Sequence, residues 1–130
     1  MTLELYALLA TAMLLLVLAL VSTALYGAQV GNSSLMGNRE GIAPATGAAG
    51  RAQRAHRNLL ENAVPFAVAV LTARALHITT PVTQDAALIF IGARVIHALV
   101  YIAGIEKIRT LAWLVGLLAT AAIATVVVLP

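Results

Sequence analysis

The chain is predicted to be an all-α integral membrane protein, an up-down bundle of four transmembrane helices, and three observations carry that expectation. Of its 130 residues, 62% are hydrophobic and only 10% are charged, and the mean hydropathy of +0.97 is far too high for a soluble domain of this size. The apolar residues are gathered into runs of about 20 or more, enough to cross a hydrocarbon core roughly 30 Å thick. Clusters of Gly, Pro, Asn, Ser and charged residues interrupt those runs at three places, dividing one domain, residues 1–130, into four segments.

The first span covers residues 3–27. It holds one charge, Glu4, near its start, and the missing basic n-region argues against a cleaved signal peptide. Ala19, Thr23 and Gly27 recur at small-xxx-small spacing, so a neighbouring helix is expected there. Residues 30–50 are rich in Gly, Ser, Asn and Pro and read as a loop of about twenty residues, a length that usually marks function or mobility. Its charges, Arg39 and Glu40, fit a local ion pair. The second helix, residues 51–76, begins with polar turns that must lie in the interface or face a protein-lined cavity, and Pro65 is expected to bend it. Residues 77–84 form a polar turn in which Thr80 is placed to cap the third helix and Pro81 to occupy its first position. The third span, 81–104, carries Arg94, and Arg94, His97 and Tyr101 share one face. After a tight connection the fourth span, 108–129, opens with Arg109 and Trp113 one turn apart and repeats small residues at Ala112, Gly116, Thr120 and Ala124.

Charge and composition exclude several classes of function. A net charge of +3 and a pI near 10.0 could suit nucleic acid, but the basic residues are few and flank apolar runs, so no nucleic-acid partner is expected. Without cysteine there is no disulfide, thiolate metal site or cysteine nucleophile, and any thiol must come with a ligand. His56, His77 and His97 are too widely spaced for a local metal motif, so no metal is predicted. Arg39, Arg51, Arg54, Arg57, Lys107 and Arg109 lie at the first and third connections and Arg74 at the second. The positive-inside rule therefore puts the first and third connections in the cytoplasm and both termini outside.

The most informative stretch is residues 50–66. At about 100° per residue, Arg51, Arg54, Asn58, Glu61 and Pro65 fall within roughly a quarter of a helix circumference, with Arg57 and Asn62 on either flank. Ionisable side chains at membrane depth cost several kcal/mol unless paired or set against a wet cavity. Such a stripe is either an interfacial anchor or a site, and Glu61 with Asn58 favours a site. If helices two and three run antiparallel about a turn centred near position 80, Tyr101 lies level with Asn58, His97 with Asn62, and Arg94 with Pro65 and Phe66, one turn from a pairing with Glu61. Arg109 falls beside Tyr101. Arginines suit carboxylates, a carboxylate an ammonium and asparagine an amide, which together describe a small zwitterionic peptide; a cation beside a ligand thiol would favour its thiolate.

The segments RAHRNLLENAVPF, residues 54–66, and ARVIHALVYIAGIEKIR, residues 93–109, resemble the membrane-associated proteins in eicosanoid and glutathione metabolism, the MAPEG family, and the resemblance extends over all four spans. It implies a homotrimer of four-helix membrane subunits, here of the short bacterial kind in an inner membrane, with glutathione held as cosubstrate between adjacent subunits. Carried over by position, it implies that Arg51, Arg54, Arg57, Asn58 and Glu61, with Arg94, His97 and Tyr101, bind glutathione and that Arg109 is the catalytic residue stabilising the thiolate. His56 stands where some members make a contact across subunits. The chain departs from the pattern in having no arginine at the cytoplasmic end of the first span, for which Arg39 is a substitute, and in carrying Asn62 and Trp113 where eicosanoid-forming members have tyrosines. The resulting expectation is a glutathione-dependent transferase or peroxidase for lipophilic small molecules or lipid hydroperoxides that enter from the bilayer. A noncatalytic lipid- or partner-binding member is the alternative, and a small transporter a remoter one.

Overall fold

The computed structural model describes residues 1–129, which are helical apart from short connections and the loop after the first helix. Helix α1 spans Leu3–Val30, α2 is a single turn at Asn32–Leu35, α3 spans Gly47–Ala75, α4 Pro81–Ala103 and α5 Glu106–Val128. Three of these, α1, α4 and α5, are long and apolar enough to cross a membrane. Helix α3 is the longest, with 29 residues, but it carries five ionisable side chains from Arg51 to Glu61 and a sixth at Arg74, and these dilute its apolar stretch.

Each helix end has a local cause. Thr80 accepts a hydrogen bond from the Thr83 amide while the Thr83 hydroxyl accepts one from the Thr80 amide, a reciprocal capping box with Pro81 just inside the helix. At the end of α4, Ile105 N–H donates to Val100 C=O and Gly104 N–H to Tyr101 C=O, the paired bonds of a Schellman motif, with Gly104 left-handed at φ 86°. Helix α3 ends in the same motif, Ile78 to Ala73 and His77 to Arg74, but its left-handed residue is His77, at φ 57°.

Inside lipid, helices gain little from hiding apolar surface, so close packing of small residues is what brings them together. The interior is built that way: Ala7, Ala69, Ala73, Ala86, Ala87 and Ala119 are buried around Phe66, Val70, Phe90 and Ile123, while Leu9, Leu16, Leu20, Val64, Val68 and Leu88 face outward. Phe66 and Phe90 stack with centroids 3.8 Å apart. Helices α3 and α4 form the central pair; α1 packs against both on one side and α5 on the other, and among the described residues the backbones of α1 and α5 make no close approach. A second, smaller cluster of Leu18, Leu59 and Ala98 ties α1, α3 and α4 together. At the far end, the buried Glu4 carboxylate accepts a 2.6 Å hydrogen bond from the Thr83 hydroxyl, joining the starts of α1 and α4, while its other oxygen has no partner.

Three sequence expectations are corrected. The close-packed face of α1 is Glu4, Ala7, Thr11, Leu18 and Ser22; of the small-residue series, Ala19 is half-buried and Thr23 exposed, both lining a hollow that faces Gln53 and His56 of α3, and Gly27 is buried against Asn32 and Leu35 of the single-turn α2. The loop is shorter than expected, because α2 occupies part of it and α3 begins at Gly47. It is also fastened to α1: the Tyr26 hydroxyl donates to Ala43 C=O, and Gln29 donates to Pro44 C=O and accepts from the Thr46 amide. Arg39 donates to Leu35 C=O within it. Finally, the α3–α4 register is displaced by one helical turn: Phe66 meets Phe90 and Asn62 reaches Arg94. The left-handed His77 reverses the chain immediately after α3, so the turn is centred earlier than position 80.

A β-carbon in the left-handed region costs about 1–2 kcal/mol that glycine does not incur. Replacing His77 with glycine should therefore raise unfolding stability by about 1 kcal/mol, measured by reversible denaturation in detergent micelles, and a destabilised variant would mean that the imidazole makes a compensating contact.

Candidate functional site

The polar stripe of α3 is divided by the fold. Ala52, Ala55, Leu59 and Ala63 turn into the bundle, and this rotation leaves Arg54, Arg57 and Glu61 exposed, with Arg51, His56, Asn58 and Asn62 at the boundary. Asn58 alone of the stripe lines the cavity formed with the third and fourth long helices. That cavity, about 230 Å³ in volume, is bounded by Asn58, His97, Tyr101, Arg109, Thr110 and Trp113.

Its geometry is set by stacking. The Arg109 guanidinium lies over the Tyr101 ring, 4.7 Å from the centroid, within the range where a cation is attracted to an aromatic face. His97 meets the same ring edge-on with centroids 5.3 Å apart. His97 and Tyr101 are four residues apart on α4 and so share a face, and the Schellman turn after Ala103 brings the first turn of α5, with Arg109, back alongside them. The cavity thus presents one guanidinium, an imidazole, a phenol and a carboxamide around a space large enough for a small polar group. Trp113, singled out in the sequence for standing one turn after Arg109 but given no binding role, joins the wall, and so does Thr110, which the sequence reading missed; its place directly after Arg109 is the signal that could have found it.

Arg94 takes a different place from the one its spacing suggested. It is 1% exposed and does not line the cavity. Its Nη2 donates to Asn62 Oδ1 at 3.0 Å and to Trp113 C=O at 3.4 Å, its Cζ stands 5.0 Å from the Phe90 centroid, and Nε and Nη1 have no partner. The expected pairing with Glu61 is replaced by Asn62 because the register is one turn displaced and Glu61 points outward. Asn62 in turn donates to Asn58 C=O at 2.8 Å and lies 3.4 Å from Asn58 Oδ1, so a line of polar contacts runs from Arg94 through Asn62 to the cavity wall. Arg51 is also engaged inside the protein: its Nε donates to Ile102 C=O at 2.7 Å.

Two further hollows flank this centre. A laterally open, apolar groove of about 470 Å³ runs between α3 and α5 from Asn62 and Pro65 to Thr72, Val127 and Val128. On the other side of α3, a polar hollow of about 200 Å³ brings Arg39 of the loop and Gln53 and His56 against Ser22 and Tyr26 of α1.

Gly116 is what admits the Arg94 side chain, since a β-carbon there would stand 2.5 Å from Nη2 and 2.8 Å from Cζ and Nε. Gly116→Ala should accordingly destabilise the protein by about 1–3 kcal/mol through overpacking. Gly92→Ala, where a β-carbon would meet nothing within 4 Å, should be neutral or stabilising by up to about 1 kcal/mol. Thermal unfolding of the two variants in the same detergent makes the comparison, and equal stabilities would refute the assigned contact.

No curated protein matches the chain. The family model described as the MAPEG family matches residues 3–129, which takes in all four long helices, the Asn58–Arg109 cavity and the buried Arg94. The chain therefore belongs to the MAPEG family and is an integral membrane protein.

Proposed function

We propose that the protein is a membrane-embedded, glutathione-dependent transferase or peroxidase acting on lipophilic electrophiles or lipid hydroperoxides. The observation that carries this reading is the adjacency of a small cationic, polar cavity and a long apolar groove, with Asn62 belonging to the groove and bonded to Asn58 of the cavity. A reaction between a water-soluble thiol and an apolar partner needs both environments within reach of each other.

In this reading Arg109, fixed over Tyr101, stands beside the sulfur of glutathione and favours its thiolate, as a neighbouring cation does for a protein thiol. His97, Tyr101 and Asn58 orient the peptide. With the thiol proton released to water, the thiolate sulfur forms a bond to the electrophilic carbon of a partner lying in the groove, and the electron pair displaced from that carbon leaves with the leaving group or, in an addition, takes a proton from water. Arg54, Arg57 and Glu61 supply opposite charges suited to the carboxylates and ammonium of glutathione. Their exposure on a single chain supports a homotrimer of four-helix membrane subunits, because charges at this depth are costly unless a neighbouring copy encloses them with a ligand and water. The basic residues beside the α1–α3 and α4–α5 connections favour a cytoplasmic location for both, in a bacterial inner membrane.

The test is a difference spectrum of glutathione added to the purified protein, read at the thiolate absorbance, with Arg109→Ala for comparison. The parent should show a thiolate band and the variant should lose it, with turnover of generic electrophiles falling by at least about 100-fold. No band in the parent would remove the mechanism, whereas a band without turnover of any electrophile would leave a noncatalytic binding protein.

A further inference from the structure

We infer that Arg51 is a positioning residue, a clamp from α3 onto the α4–α5 turn that sets the placement of Tyr101 and Arg109, and not a ligand-binding arginine. This inference rests on the reading of Arg109 given above. The last carbonyls of any α-helix lack intrahelical donors. In α4 the Schellman motif satisfies those of Val100 and Tyr101, and Ile102 C=O is next in line. The Arg51 Nε–H fills it at 2.7 Å, from a residue 51 positions away in the chain. A charged donor at a helix C-terminus is favoured twice, by the hydrogen bond itself and by the helix dipole.

The turn is shaped to receive that side chain. Gly104, left-handed at φ 86°, lies under Arg51: a β-carbon there would be 3.5 Å from Nε and 3.7 Å from Cζ, already in contact, so any longer side chain would need the space Arg51 fills. Tyr101 precedes this turn and Arg109 follows it, one turn into α5. With α3 holding the carbonyl between them, the stacked Tyr101–Arg109 pair is referred to the same helix that carries Asn58. Arg51 itself is absent from the cavity lining.

The experiment compares the parent, Arg51→Met, Gly104→Asn and the double variant, each checked for native helicity. Asparagine tolerates the left-handed conformation, so Gly104→Asn probes the contact more than the backbone. Hydrogen exchange across residues 101–109 should accelerate about tenfold in Arg51→Met. The glutathione thiolate amplitude at saturation should fall by a similar factor, about tenfold, while the half-saturating glutathione concentration changes by less than about twofold. Gly104→Asn should act in the same direction, and the double variant should be no worse than the more severe single one, since both remove one contact. Unchanged exchange in both single variants would overturn the clamp. So would an increase of about tenfold in half-saturation with the saturated amplitude intact, because that outcome makes Arg51 a direct ligand contact. If the parent shows no thiolate band, the proposed function falls and exchange alone decides: acceleration sustains the clamp, its absence overturns it.

Discussion

A guanidinium sealed between α3, α4 and α5 is the constraint around which this molecule is arranged. A buried charge without partners costs several kcal/mol, and Arg94 meets that cost with contacts from three helices: the Asn62 carboxamide on α3, the Phe90 ring on its own α4, and the Trp113 carbonyl on α5. Gly116 leaves the room it needs. Any slide of one helix along another would separate these groups. The alanine-rich interior could not enforce the register alone, because small residues repeated every three or four positions permit several nearly equivalent packings. Polar ties break that degeneracy at three heights: Glu4 with Thr83 at one end, Arg94 with Asn62 in the middle, and Arg51 with Ile102 at the other.

Those ties divide the charged residues by task. Arg51 and Arg94 each direct a donor inside the protein, one to a helix end and one into the core. Arg54, Arg57 and Glu61 are left on the outer surface of α3 and Arg109 at the rim of the cavity. The division follows from the rotation of α3, whose buried line of Ala52, Ala55, Leu59, Ala63 and Phe66 leaves the neighbouring quarter of the helix facing out. Side chains of one chemical type thus have different surroundings within a few turns, and spacing along the sequence does not distinguish them.

Much of the fold was legible because membrane helices obey strong, local rules. Run length and composition located the helices within a few residues, and Thr80–Pro81 announced the start of α4 through the hydroxyl cap and the missing amide. The grouping of Asn58, His97, Tyr101 and Arg109 followed from antiparallel geometry, which tolerates an error of one turn. Partner choice does not tolerate it. Arg94 pairs with Asn62 and not with Glu61 because the chain already reverses at His77, in a left-handed conformation that this residue usually avoids, so the α3–α4 pairing is centred nearer the end of α3 than the sequence suggests. Gly27 was misread for a related reason: small-residue spacing marks a place of close approach without naming what approaches, and here it is Asn32 and Leu35 of the same chain.

The polar line from Arg94 through Asn62 to Asn58 also separates two solvents. On one side lies a cavity of charged and hydrogen-bonding groups, on the other a groove whose walls are almost entirely aliphatic. Asn62 suits that boundary because its donor and acceptor are both occupied within the wall, by Asn58 and Arg94, and it exposes neither an unpaired charge to the groove nor a bulky ring to the cavity. An apolar residue there would leave Arg94 without a side-chain partner, while a carboxylate would add a charge to the apolar side. The carboxamide satisfies both neighbours at once, so the boundary and the support of the buried guanidinium are one structure, and the separation of the two environments is as firm as the register of the bundle itself.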